Sequence, residues 1–255
     1  MQHWTRFVIL FIFVISTHEC KSTQEPSQPD VHKGFFQGDI DLPSFRSAVK
    51  SRWSRWFGNK MRYAFLEDDT NTKIADADRP VIREAIRLLA DLINEGGDCF
   101  QFTEVADNSE KLPTLMFYSG TGCHSAVGMS GGTQMLSLGR GCLHNGYIWH
   151  ELLHALGLWH EHTRLDRDKY VRILWQNIEP DAQINFQITA KNKINDLGTP
   201  YDLSSLMHYP DNYFSKNGLK KTILPKEPGI KIGQRDKPSY WDIKRIRILY
   251  ECDTV

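Results

Sequence analysis

The residues able to do chemistry crowd into one stretch, "IWHELLHALGLWHEHTR" at 148–164, with histidines at 150, 154, 160 and 162. A helix advances about 100° per residue, so positions four apart share a face, one turn above each other. His150 and His154 can therefore grip a single ion. Glu151 stands beside them, near enough to reach a water on that ion without ligating it, and His-Glu-x-x-His on a helix is a zinc-hydrolase signature for this reason. Catalytic zinc takes three protein ligands and keeps one position for water, so a third ligand is required. A continuing helix cannot supply it, because His160 would point about 240° away from His154 and His162 would lie about 12 Å further along the axis. Gly157 can adopt the left-handed conformation that ends a helix and turns the chain back. That return brings either His160 or His162 to the metal, and geometry alone does not choose between them.

The elements that must position these groups follow from pattern. With 255 residues, 40% hydrophobic and 24% charged, the chain can bury a sizeable core, which excludes a disordered or fibrous protein. Net charge is zero and the basic residues are scattered, so neither nucleic acid nor a membrane surface is indicated as a partner. Arg6 precedes the apolar run "FVILFIFVI" at 7–15 and small polar residues follow. This is a signal-peptide pattern, too short for the roughly 20 apolar residues of a membrane span, and it predicts a secreted, extracellular protein without a stable membrane anchor. Cys99, Cys123, Cys142 and Cys252 form an even set suited to that oxidising route, and Cys20 is left over. The polar "KSTQEPSQPD" at 21–30 reads as a connector. Strands are expected at "MRYAF", "FQFTEV", "TLMFYS" and "TQMLSLG". An amphipathic helix is expected over "DRPVIREAIRLLADLINEGG", burying Ile82, Ile86, Leu89, Leu92 and Ile93, with Asp78 as N-cap. A final helix starts at the capping box Ser239/Asp242.

"HELLHALGLWHEH" has a further property: it matches His-Glu-x-x-His-x-x-Gly-x-x-His and so resembles the metzincin pattern, in which the histidine three residues after the glycine is the third ligand. That resemblance selects His160. Glu161, immediately after it, is similar to the variant found in the astacin family of secreted zinc endopeptidases. The likeness spans roughly residues 34–252 and leaves His162 in a solvated turn. It implies an α+β metzincin-like zinc protease domain, with a mixed twisted sheet, an active-site helix, a C-terminal helix and two lobes around a cleft. One zinc per chain is implied, held by His150, His154 and His160. In "SSLMHYP", Met207 resembles the family's Met-turn, flooring the site, and Tyr209 would approach the metal with its phenol. The family's disulfides carry over as Cys99 with Cys252 and Cys123 with Cys142, each worth about 3 to 5 kcal/mol on the chain-entropy model.

"FFQGDI" resembles the family's pro-segment motif, whose aspartate, here Asp39, closes the zinc's open position; a thiolate from Cys20 is the chemical rival. The implied organisation is a signal peptide at 1–16, a pro-segment at 17–46 and a catalytic domain at 47–255. An activating protease would cut after Arg46, and the amine of Ser47 would then pair with Glu161. Phe57 and His124 stand where the family usually has proline and tryptophan. The chemistry implied is zinc-assisted attack of water on a peptide bond, with Glu151 as base and Tyr209 as oxyanion donor. Protein or peptide substrates would lie along the edge strand around "TQMLSL". By the same resemblance the residue after Gly-Gln in "GQRDKPSYWD", here Arg235, contributes to the pocket for the side chain just after the scissile bond, where an arginine implies a preference for Asp or Glu. A binding protein on a dead scaffold would show damage among His150, Glu151, His154 and His160, and none is present. A closed structural zinc site would want a fourth ligand and no adjacent base.

Overall fold

A computed structural model of the chain describes residues 29–42, 54–67, 72–106, 112–191 and 194–252. The leader, Cys20 and the Arg46–Ser47 bond, with the expectations placed on them, lie outside the described residues.

Each expected strand forms. β1 (Lys60–Phe65), β2 (Gln101–Glu104), β3 (Thr114–Tyr118) and β5 (Thr133–Leu138) run parallel in one sheet. β4 (Cys123–Ser125), which the sequence did not announce, closes it antiparallel to β5 in the order β2-β1-β3-β5-β4. The edge facing the site is therefore β4, not the strand at "TQMLSL", which is paired on both sides as β5. Three residues are too few for a periodic signal, and β4 owes its place to Cys142, whose sulfur is bonded to that of Cys123.

α1 (Arg79–Ile93) buries Ile82, Ala85, Ile86, Leu89 and Ile93 in an apolar core shared with the sheet and the other two helices. Leu92, expected on that face, is 37% exposed, because the 3.6-residue period carries the stripe through Ala85 and leaves Leu92 on its shoulder. Asp78 stands at the N-cap but has helical backbone angles (φ −94°, ψ −21°) and makes no side-chain cap, which needs an extended residue there. α2 (Asn145–Leu156) is buried along almost its whole length. α3 (Tyr240–Leu249) opens with the expected capping box between Ser239 and Asp242, and the Cys99–Cys252 disulfide ties its far end to the strand side.

Among the described residues two apolar cores result. The larger joins the sheet, α1, α2, Ile246 of α3 and Met207. The smaller gathers Val171, Ile178, Phe186, Tyr209, Tyr213 and Phe214 around the ribbon of β6 (Val171–Ile173) and β7 (Ile223–Pro225). Met207 and Tyr209 belong to different cores, so the Ser205–Tyr209 turn links the two lobes, and α2 ends at that seam.

Candidate active site and metal centre

α2 stops where the sequence said it must. Gly157 takes φ 118°, its N–H and that of Leu158 return to the carbonyls of His154 and Leu153, and the chain folds back. The reversal carries His160 to His150 and His154. His160 Nε2 lies 3.2 Å from His154 Nε2 and 3.3 Å from His150 Nε2, and Asp39 Oδ2 lies 3.0 and 3.2 Å from His150 and His160. All four side chains are fully buried.

The far nitrogen of each ring shows what this cluster wants. His150 Nδ1 faces the Leu206 carbonyl at 2.9 Å, His154 Nδ1 the Leu158 carbonyl at 2.7 Å and His160 Nδ1 the Gln37 Oε1 at 2.9 Å. A carbonyl oxygen only accepts, so each Nδ1 carries the proton and each Nε2 of a neutral ring is a bare lone pair. Three lone pairs and a carboxylate thus converge on one point, which is favourable only around a cation. Zn–N bonds of about 2.0–2.1 Å in a tetrahedron put nitrogens about 3.3 Å apart, the spacing found. The donor set fits zinc, with Asp39 in the fourth position.

His162 does not join the cluster, and it is not solvated as expected. It is fully buried, with Nε2 on the Asn185 carbonyl at 3.0 Å and its ring stacked on Tyr209 at 3.8 Å. The 3₁₀ turn at Glu161–Thr163 folds it under the smaller core, a tertiary effect invisible in a charged sequence neighbourhood.

The family model for astacin, a peptidase family, matches residues 48–251. The chain belongs to the astacin family. High choriolytic enzyme 2 of Oryzias latipes is 39% identical over 220 residues, 85% of this chain and 75% of that protein. Zinc metalloproteinase nas-15 of Caenorhabditis elegans is 47% identical over 206 residues, 81% of this chain and 34% of that one. The structure of high choriolytic enzyme 1, a hatching-enzyme zinc protease of the same fish, superposes with TM-score 0.65 at 36% identity, covering 84% of this chain and 99% of that one. This astacin is accordingly a zinc metalloendopeptidase with the family's mixed α+β fold.

Around the zinc site of this astacin the remaining predicted groups take definite places. Both oxygens of Glu151 are buried without a hydrogen-bond partner among the described residues. Burial, reinforced by the charges of Asp39 and Asp30, pushes its carboxyl well above the usual range. The Tyr209 ring lies against the cluster, its centroid 4.7 Å from that of His160, and its hydroxyl donates to the main-chain carbonyl of Gln37. Burial raises its pKa well above the ordinary value, so it remains a donor. Met207 is 1% exposed within the larger core, and its carbonyl accepts the Glu161 amide. Glu161 is held by both Arg245 terminal nitrogens (2.7 and 2.9 Å) and the Asp202 amide. Burial pushes it up to about 7 against the pull of Arg245 and Arg164.

Arg235 is sunk beside the site. Its Nη1 donates to the carbonyls of Leu206, His208 and Gln234, while Nε and Nη2 face the Asp30 carboxylate at 3.0 and 2.7 Å. Tyr213 donates to the other Asp30 oxygen at 2.5 Å.

Sequence reasoning missed Asp30, Gln37 and the supporting role of Asp242. Asp242 accepts from Ser205 Oγ, the Leu206 amide and the Ser239 amide, and so fixes the carbonyl on which His150 leans. Its capping-box spacing was readable; its partner 36 residues upstream was not.

Proposed function

We propose that this astacin is a secreted endopeptidase made as a zymogen, with residues 17–46 as pro-segment and 47–255 as catalytic domain. The observation that carries the reading is the plug. Asp39 fills the fourth position beside the three histidines, and the backbone around it pairs with the edge strand: the Ser125 amide donates to the Asp39 carbonyl and the Asp41 amide to the Ser125 carbonyl. Gly38 makes the approach feasible, since its φ is 84° and an added Cβ would press on Phe214 at 3.0 Å. Peptide substrate takes the same edge once the segment has gone.

Zinc held by His150, His154 and His160 would supply an acidified water and a Lewis acid for the scissile carbonyl. Glu151 takes the proton of that water and delivers it to the leaving amine. Its lack of any hydrogen-bond partner among the described residues leaves it free to do both. Tyr209 loses its acceptor when Gln37 departs, and its hydroxyl turns to the oxyanion. Cleavage after Arg46 frees the Ser47 amine to reach Glu161, which borders a small cavity of about 50 Å³ also lined by Gly157, Trp159, Arg164 and Arg245.

Substrate choice follows from Arg235. Carbonyls clamp Nη1, so the Nε/Nη2 edge is held ready for a carboxylate, and in this structure a pro-segment carboxylate occupies it. The enzyme therefore prefers Asp or Glu just after the scissile bond. The test has two arms. Glu151→Gln should retain one zinc per chain by metal analysis while losing nearly all turnover; full activity in that variant would displace Glu151 as base. Peptide-library cleavage should show the acidic preference in the wild type and its loss in Arg235→Ala, and identical profiles would remove Arg235 from the pocket.

A further inference from the structure

The segment 29–41 marks a second place on the cleft besides the Arg235 pocket. Phe35 lays its ring flat on His124, with centroids 3.9 Å apart and planes 24° from parallel. His124 is only 3% exposed under this cover. Its orientation is fixed from below, where Nε2 lies 3.0 Å from the Tyr118 hydroxyl, and its other ring nitrogen is buried without a partner among the described residues. The backbone is equally constrained. His124 sits in β4 opposite Ser137 of β5, and the preceding residue is locked by the Cys123–Cys142 disulfide.

All of these supports belong to the catalytic domain, while the covering ring belongs to the segment that activation removes. The shelf therefore persists after activation as a rigid, flat surface open at the edge strand. Its place along the cleft is set by main-chain pairing. The Cys123 amide binds the carbonyl of Pro29, next to the Asp30 that fills the Arg235 pocket, and the Ser125 amide binds the carbonyl of Asp39 at the metal centre. His124 lies between those two registers, so a substrate strand on this edge passes it within a residue or two of the scissile bond.

We propose that Tyr118 and His124 form a substrate subsite for an aromatic side chain, filled by Phe35 in the precursor and by a residue of the peptide substrate in the mature enzyme. A planar apolar ring suits it because a stacked pair gains both apolar burial and favourable ring geometry. The subsite rests on the astacin reading above and adds an aromatic requirement to the acidic one set by Arg235.

The experiment uses activated wild type, His124→Ala and His124→Phe, the last retaining a flat ring without the Tyr118 bond. A synthetic peptide of residues 29–42 and its Phe35→Ala form are assayed as inhibitors. On wild type the Phe35→Ala peptide should inhibit about 2- to 12-fold more weakly, the factor expected of one aromatic pair. On His124→Ala the two peptides should be equal, and on His124→Phe the difference should return. In a peptide library, enrichment of Phe, Tyr or Trp near the cut should fall in His124→Ala while the acidic preference stays. Equal peptide inhibition on wild type, or an aromatic profile unchanged in His124→Ala, overturns the proposal. Should the parent peptide inhibit no form, the plug reading fails instead, and the library comparison still decides the shelf.

Discussion

Asp30 offers the sharpest test of how the proposed pro-segment is held. Its side chain is wholly buried against Arg235, which is itself 9% exposed, and it also takes the Tyr213 hydroxyl. Asp30→Ala strips the guanidinium edge and the phenol of the carboxylate they share while both stay largely enclosed. Removing one partner of a buried pair typically costs about 3–5 kcal/mol, because the other charge is left uncompensated. Water can enter the vacated space in an open cleft, so the lower end applies, about 3 kcal/mol, or roughly a hundredfold in the docking constant at 1.4 kcal/mol per tenfold. The direct assay is again inhibition of the mature enzyme by the peptide of residues 29–42, with Ki compared between parent and Asp30→Ala forms. On wild type the ratio should be about 100. On Arg235→Ala it should collapse to a few-fold, since a double-mutant cycle removes the shared term. A wild-type ratio below about 3, or a ratio that survives loss of Arg235, would refute the argument that a buried ion pair anchors the segment.

Three further outcomes are expected. Asp39→Ala should give a precursor that hydrolyses peptide before activation, whereas Cys20→Ala should stay silent; leakage from the cysteine variant alone would hand the plug to the thiol. Asp242→Ala, which orphans Ser205 and the Leu206 amide, should cost about 3 kcal/mol of stability in denaturant melts and speed zinc loss to a chelator, and unchanged zinc release would detach Asp242 from His150. His208 is fully buried between the Tyr201 hydroxyl and the Tyr209 carbonyl, and burial pushes it down to about 4. Below about pH 6.5 the unfolded chain takes up a proton that the folded one refuses. Stability present above about 6.5 is therefore lost as pH falls towards 4, by up to about 3 kcal/mol. Melts of Glu151→Gln should show this slope and Glu151→Gln/His208→Gln a shallower one; equal slopes would clear His208 of the effect.

The sequence by itself determined what local periodicity and covalent chemistry control. Two imidazoles four apart share a helix face whatever the fold, Gly157 can end that helix in a left-handed turn, and Ser239 with Asp242 caps α3 through neighbours in the chain. The main strands and α1 were legible because each is long enough to repeat its pattern. The choice of His160 over His162 needed the family resemblance, since both lie beyond the chain reversal, and the smaller core settles it physically by burying His162 against Tyr209. Only the tertiary structure placed the cleft edge at β4, a three-residue strand defined by its partner and a disulfide rather than by its own pattern. It alone brought Asp30 to Arg235 across 205 positions and Gln37 to His160 across 123. Contacts of that span leave no trace in spacing, because their specificity comes from desolvation: a buried charge or ring nitrogen must find its complement in whatever part of the chain the packing brings near.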